Sequence, residues 1–164
     1  TDADMILKPD PASIRKVPWA SDPIALVIHD CEDKEGNPVE MAPRQVLKRV
    51  IQLYADQGWK PVIAPELEFY LIQPNPDPDM PIEAPIGRNG RVEGVGQAYS
   101  IDAVNEFDPV FDDIYDFCEA QEIELDAVIH EDGLAQMEIN LLHGDPLALA
   151  DQVFLFKRTV KEAA

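Results

Sequence analysis

The segment Pro61–Ile72, PVIAPELEFYLI, constrains the fold more than any other part of this chain. It is apolar at both ends and rich in residues that favour strands. Successive strand side chains point to opposite faces, so residues two apart share a face. Ile63, Pro65, Leu67, Phe69 and Leu71 then form one apolar face. Val62, Ala64, Glu66, Glu68 and Tyr70 form the other, and a core strand is predicted to aim two carboxylates in the same direction.

A second segment repeats the arrangement. In AQMEINLL, Ala135, Met137, Ile139 and Leu141 point one way, and Gln136, Glu138 and Asn140 point the other. The strand before it, IELDAVIHE, ends in His130-Glu131, and the two are expected to form a hairpin around DGL. His130 alternates away from Glu131, which makes it a structural histidine. A polar strand face ordinarily means solvent. Here the acids are flanked by apolar residues, and no lysine or arginine lies near them in sequence. Clustered carboxylates without partners repel one another and are pushed toward protonation. A bound divalent cation removes that repulsion, and carboxylate-only ligation suits a hard ion such as Mg²⁺ or Mn²⁺.

The rest of the chain frames these strands. IALVIHDC (24–31) reads as a buried strand. APRQVLKRVIQLYADQG reads as a helix with Leu47, Val50, Ile51 and Tyr54 as its apolar stripe and Gly58 as its stop. Residues 73–97 are dense in proline and glycine and lack periodicity, so they form a long loop of a kind that is often functional. FDPVFDDIYDFCEAQE is a second helix, with Phe107, Val110, Phe111, Ile114, Phe117 and Cys118 inward. PLALADQVFLFKRTVKEAA is a third, with Leu149, Val153, Phe156 and Val160 on one face. The fold class is α+β (mixed α/β), with helices packed on one face of a largely antiparallel sheet.

Composition excludes several functions. The formal net charge of −19 argues against nucleic acid and against anionic membrane surfaces. No apolar run is long enough to span a bilayer. Cys31 and Cys118 fit no zinc or redox spacing and read as reduced, largely buried thiols of a cytoplasmic protein.

The carboxylate segments carry a resemblance. PELEFYLI is similar to the Glu-x-Glu-Phe-Phe strand of the glutamine synthetase family, and HEDGLAQMEI to its Glu-x-Gly-Pro-Gly-Gln-x-Glu segment. DPASIRKVPW and PRQVLKR resemble the stretches before those strands. GRNGR, AYSIDAVNEFDP and LLHGDPLALADQVFLFKR resemble the gamma-glutamylputrescine (gamma-glutamylpolyamine) synthetase branch. The resemblance implies part of a glutamine-synthetase-type catalytic domain, over residues 24–164, entered from the end of an N-terminal region at 1–23 in a chain that looks cut at both ends. It implies that Glu68, Glu131 and Glu138 hold one metal ion and that Glu66 serves a second, nearer the nucleotide phosphates. Gln136 and Gly133 shape the site, and His143 is a candidate for nucleotide contact. No acid–base catalytic residue is implied. Leu134 and Ala135 depart from the family's Pro-Gly.

The implied reaction joins the γ-carboxylate of glutamate to ammonia or a polyamine, with ATP as co-substrate and a γ-glutamyl phosphate intermediate, in a ring-forming homo-oligomer. The alternatives are a non-catalytic pseudo-enzyme, an acidic interaction module, or an unrelated metal-dependent phosphotransferase. The three metal carboxylates are expected on adjacent strands, converging on one point.

Overall fold

The computed structural model describes residues 4–164. Its centre is a three-stranded antiparallel sheet of β5 (Glu66–Tyr70), β6 (Leu125–His130) and β7 (Gln136–Leu141), in the order β5-β7-β6. β7, paired on both sides, is the middle strand. Met137, Ile139 and Leu141 are all buried on one side. β6 and β7 form the expected hairpin, with His130 opposite Met137 and Ile129 opposite Glu138.

Two long helices cover the apolar side. α3 (Asp108–Ala120) buries Phe111, Ile114 and Cys118. α4 (Pro146–Ala163) buries Leu149, Leu155 and Phe156. These side chains join Met137, Ile139 and Leu141 in one cluster, with Leu67, Phe69 and Val128 packed at its margin. Fully burying side chains of this size contributes about 1.5–3 kcal/mol each. Asp145 caps α4, its Oδ1 accepting from the N–H groups of Leu147 and Ala148. Burial pushes the Cys118 thiol up to about 12, as an inert core thiol requires.

Several expectations are corrected. The strand at Pro61 is only five residues long, so Val62 and Ala64 lie outside it. Residues 24–31 do not form one buried strand. They divide into β3 (Ala25–Leu26) and the start of β4 (His29–Glu32), which pair with β2 (Arg15–Lys16) and β1 (Ile6–Pro9) in two small peripheral sheets. The apolar run is too short, and too interrupted by its neighbours' turns, to enter the main sheet. The predicted helix is present as α1 (Pro43–Ala55), but it buries no residue, and Val50 and Tyr54 of its stripe are exposed. A short helix, α2 (Ile101–Asn105), capped by Ser100, escaped the sequence reading. Residues 73–97 are irregular as expected. They are also stapled, by Gln73 Nε2 donating to the Ala84 carbonyl (2.9 Å) and Gly87 N–H to the Arg91 carbonyl (2.9 Å).

Polar contacts tie α1, β1 and β4 to this core, while Leu26 of β3 packs on the apolar cluster and Trp19 meets Phe117 of α3 edge-on. Arg44 of α1 grips Asp151 of α4 through Nε and a terminal nitrogen (3.0 and 2.9 Å), Asp30 of β4 (2.9 Å) and Asp10 after β1 (2.5 Å). Lys48 adds a second bond to Asp30 (2.5 Å). The guanidinium holds the Asp10 carboxyl below its usual range. Burial pushes Asp30 the other way, but the bonds from Lys48 and Arg44 outweigh it and the net shift is also downward. Removing Arg44 leaves three half-buried carboxylates facing one another. Arg44→Met is expected to lower the unfolding free energy by about 3 kcal/mol in urea titrations. Because both aspartates have depressed values when folded, their contribution is present above the ordinary carboxylate value and is lost as pH falls below it toward the depressed folded values. The acid side of the stability profile should therefore flatten in Arg44→Met.

Candidate metal centre

The register of β5 on β7 sets the geometry. Glu66 lies opposite Asn140, Glu68 opposite Glu138 and Tyr70 opposite Gln136. On the other flank the ladder runs one residue past β6, with the Glu131 N–H donating to the Gln136 carbonyl at 2.8 Å. Alternation then puts Glu66, Glu68, Glu131, Gln136, Glu138 and Asn140 on the sheet face away from α3 and α4. Glu68 and Glu138 are direct cross-strand neighbours, and Glu131 sits diagonally from Glu138, a separation of roughly 7–8 Å between backbones. Glu138 is buried at 9% exposure, whereas Glu66 and Glu68 are exposed.

Gln136 is the hub of this face. Its Nε2 donates to Glu68 Oε2 (2.7 Å), and its Oε1 accepts from the Tyr70 hydroxyl (3.0 Å) and the Gly133 N–H (2.8 Å). A Cβ at Gly133 would lie 2.6 Å from the Tyr70 hydroxyl oxygen and 2.7 Å from Gln136 Oε1, so a larger residue there would displace the side chains of this hub. Ala135, standing where the family motif has glycine, keeps a left-handed φ of 52°. The hairpin thus retains its shape at the cost of a residue that disfavours it.

The electrostatics follow from the crowding. The Glu131 carboxyl is pushed above its ordinary value, first by partial burial and then by the charges of Glu138, Glu68 and Asp132. Among the described residues, none of the ion pairs involves Glu66, Glu68, Glu131 or Glu138. Asn140 Oδ1, in the same cross-strand row as Glu66, is buried without a partner. A hard cation suits such a set of uncompensated oxygens.

The expected convergence on one point is corrected. Among the described residues, no three His, Cys, Asp or Glu side chains stand close enough to hold one ion. Like charges push the carboxylates apart, and Gln136 draws Glu68 to itself. The four acids share a face and adjacent rows. His143 is not among them. It is exposed beyond the end of β7, five residues past Glu138, or roughly 16 Å along an extended chain.

The sequence reading missed Glu93. This acid belongs to the long loop, is 7% exposed at its side chain and pairs with the fully buried His130 at 3.0 Å. Nothing in a glycine-rich loop marks one acid as buried. The structural role assigned to His130 agrees with its burial.

Residues 40–164 match the glutamine synthetase catalytic domain. The chain belongs to the glutamine synthetase family. It is 36% identical over 149 residues to gamma-glutamylputrescine synthetase PuuA of Escherichia coli K12, covering 88% of this chain and 31% of that protein. It is 33% identical over 163 residues to glutamine synthetase of Pyrococcus abyssi, covering 99% and 34%. A solved structure of GmaS without ligand superposes with a TM-score of 0.79 at 29% identity, over 100% of this chain and 37% of that one. The chain therefore spans about a third of the length of these relatives. No helix among the described residues is long and apolar enough to cross a membrane.

Two outcomes test this geometry. A Glu whose folded pKa is raised binds more protons folded than unfolded, so stability falls as pH rises from the unfolded value to the raised one. Metal-free Glu131→Gln should melt above wild type at pH 7, and the two should converge below about pH 4. Gly96 lies against the hairpin turn, where an added Cβ would sit 1.8 Å from the Asp132 carbonyl oxygen. Gly96→Ala is expected to cost about 2–3 kcal/mol in denaturant unfolding.

Proposed function

We propose that this chain supplies the amino-terminal, metal-holding part of an ATP-dependent ligase domain, residues 24–164, entered from residues 1–23. The ligase joins the γ-carboxylate of glutamate to ammonia or to a primary amine such as a polyamine. The terminal phosphoryl group of ATP passes to a γ-carboxylate oxygen and ADP leaves. The amine nitrogen then attacks the acyl carbon, loses a proton and displaces phosphate.

The observation that carries this reading is the cross-strand pair Glu68–Glu138 with Glu131 on its diagonal, all on one face of a glutamine-synthetase-type sheet. Glu68, Glu131 and Glu138 hold one Mg²⁺ or Mn²⁺, and Glu66 contributes to a second. Bound there, the ions would neutralise charge between the phosphoryl group and the attacked carboxylate. These four residues hold charge and position, and none moves a proton. Gln136 orients Glu68 through its 2.7 Å bond. His143, exposed past β7, meets the nucleotide. The complete enzyme is a ring-forming homo-oligomer that works in the cytoplasm.

The test is ADP release dependent on both glutamate and an amine, measured on the complete enzyme with Mg²⁺ or Mn²⁺. Glu138→Ala is expected to depress turnover by two orders of magnitude or more, in line with the loss of a ligand that holds the reacting charges, with little change in folding. Residues 1–164 alone are expected to be inactive. Equal turnover in the two proteins would remove the metal assignment. ATP hydrolysis indifferent to glutamate would remove the ligase reading and favour an acidic interaction module or another phosphotransferase.

A further inference from the structure

The end of the long loop is fastened to the hairpin that carries Glu131, and Glu93 is the fastening. Its Oε2 accepts from the Ala135 N–H at 2.5 Å. Its Oε1 lies 3.0 Å from His130 Nε2 and accepts from Gln97 Nε2 at 3.0 Å. The other ring nitrogen of His130, Nδ1, is 2.7 Å from the Glu131 carbonyl oxygen. Carbonyl and carboxylate oxygens only accept, so both ring nitrogens carry hydrogen: Nδ1 holds the Glu131 main chain and Nε2 donates to Glu93.

Two further contacts act on the same segment. The Tyr99 N–H donates to the His130 carbonyl at 2.8 Å, and Gly96 rests against the Asp132 carbonyl. The backbone is thus bonded at 130, 131 and 135 and closely approached by Gly96 at 132, all around the one residue that projects to the carboxylate face. Ala135 holds its unfavourable φ at the point where Glu93 takes its N–H. Burying a carboxylate for packing alone is costly, because apolar side chains of similar volume fill a core at lower cost. Three donors on one buried acid supply geometry instead.

We propose that Glu93 is a positioning residue for the metal centre. Acting through His130 and Ala135, it fixes the direction in which Glu131 leaves the hairpin, without touching the ion itself. This rests on the metal-holding role of Glu68, Glu131 and Glu138. The pattern matches metal sites in which residues behind the ligands set affinity.

The experiment is Mn²⁺ binding to the 164-residue chain, by calorimetry and by the paramagnetic resonance signal of free Mn²⁺, with melting curves for every variant. Glu93→Ala is expected to weaken Mn²⁺ binding by about 10–100-fold. Glu93→Gln keeps an oxygen for the Ala135 N–H and should fall between Glu93→Ala and wild type. Thr159→Ala, which breaks a buried bond to Gln121 between α3 and α4, should lower the melting temperature and leave Mn²⁺ affinity unchanged. If Glu93→Ala and Glu93→Gln bind like wild type while Glu138→Gln loses binding, the positioning role is overturned and the metal centre stands. If wild type and Glu138→Gln bind alike, or neither binds, the metal centre fails and the positioning role fails with it. Should Glu93→Ala not fold, Glu93→Gln decides, and affinity equal to wild type overturns the proposal.

Discussion

Glu68 stands directly across from Glu138, and the polar side of the molecule is organised around that pairing. Opposed like charges on neighbouring strands cost about 0.2–1 kcal/mol. The register persists because the other face of β7 carries Met137, Ile139 and Leu141, all essentially without solvent contact. A slip of one residue would put those three into water and the acids into the core. The apolar face therefore imposes the juxtaposition of acids, and burial of three large side chains easily outweighs the repulsion. Stability on one side of the sheet is what holds charge in place on the other.

Much of this was legible beforehand because it rests on a period of two. Once β7 alternates, the positions of Glu138, Gln136 and Asn140 follow, and the same rule places Glu66 and Glu68. The hairpin followed from two strands separated by a short glycine-containing turn. The helices at 108–120 and 146–163 declared themselves by the spacing of their apolar residues. What alternation does not specify is how far apart carboxyl groups rest once they share a face. That depends on rotamers, mutual repulsion and one glutamine, and it defeated the expectation of a ready-made cluster.

The remaining misses have their own physical reasons. Residues 24–31 look like a core strand by composition, yet their partners are short and peripheral, and no local pattern reports on partners. The stripe on α1 is amphipathic, but its attachment to the fold runs through Arg44 and three aspartates on distant segments. Glu93 offered no sign at all. Its burial is a property of the loop's path over the hairpin, and a path has no periodicity to read.

The position of β5 at the edge of its sheet has a practical consequence. Among the described residues its outer main-chain groups have no neighbouring strand, and beside it opens a groove of about 680 Å³ walled by Phe107, Val110, Phe156 and Val160. An uncovered strand edge next to an oily trough is a template for self-association. The strong negative charge of the chain opposes that tendency only while salt is low, since screening shortens its reach to about 10 Å at 0.1 M. Raising ionic strength is then expected to favour association of these 164 residues.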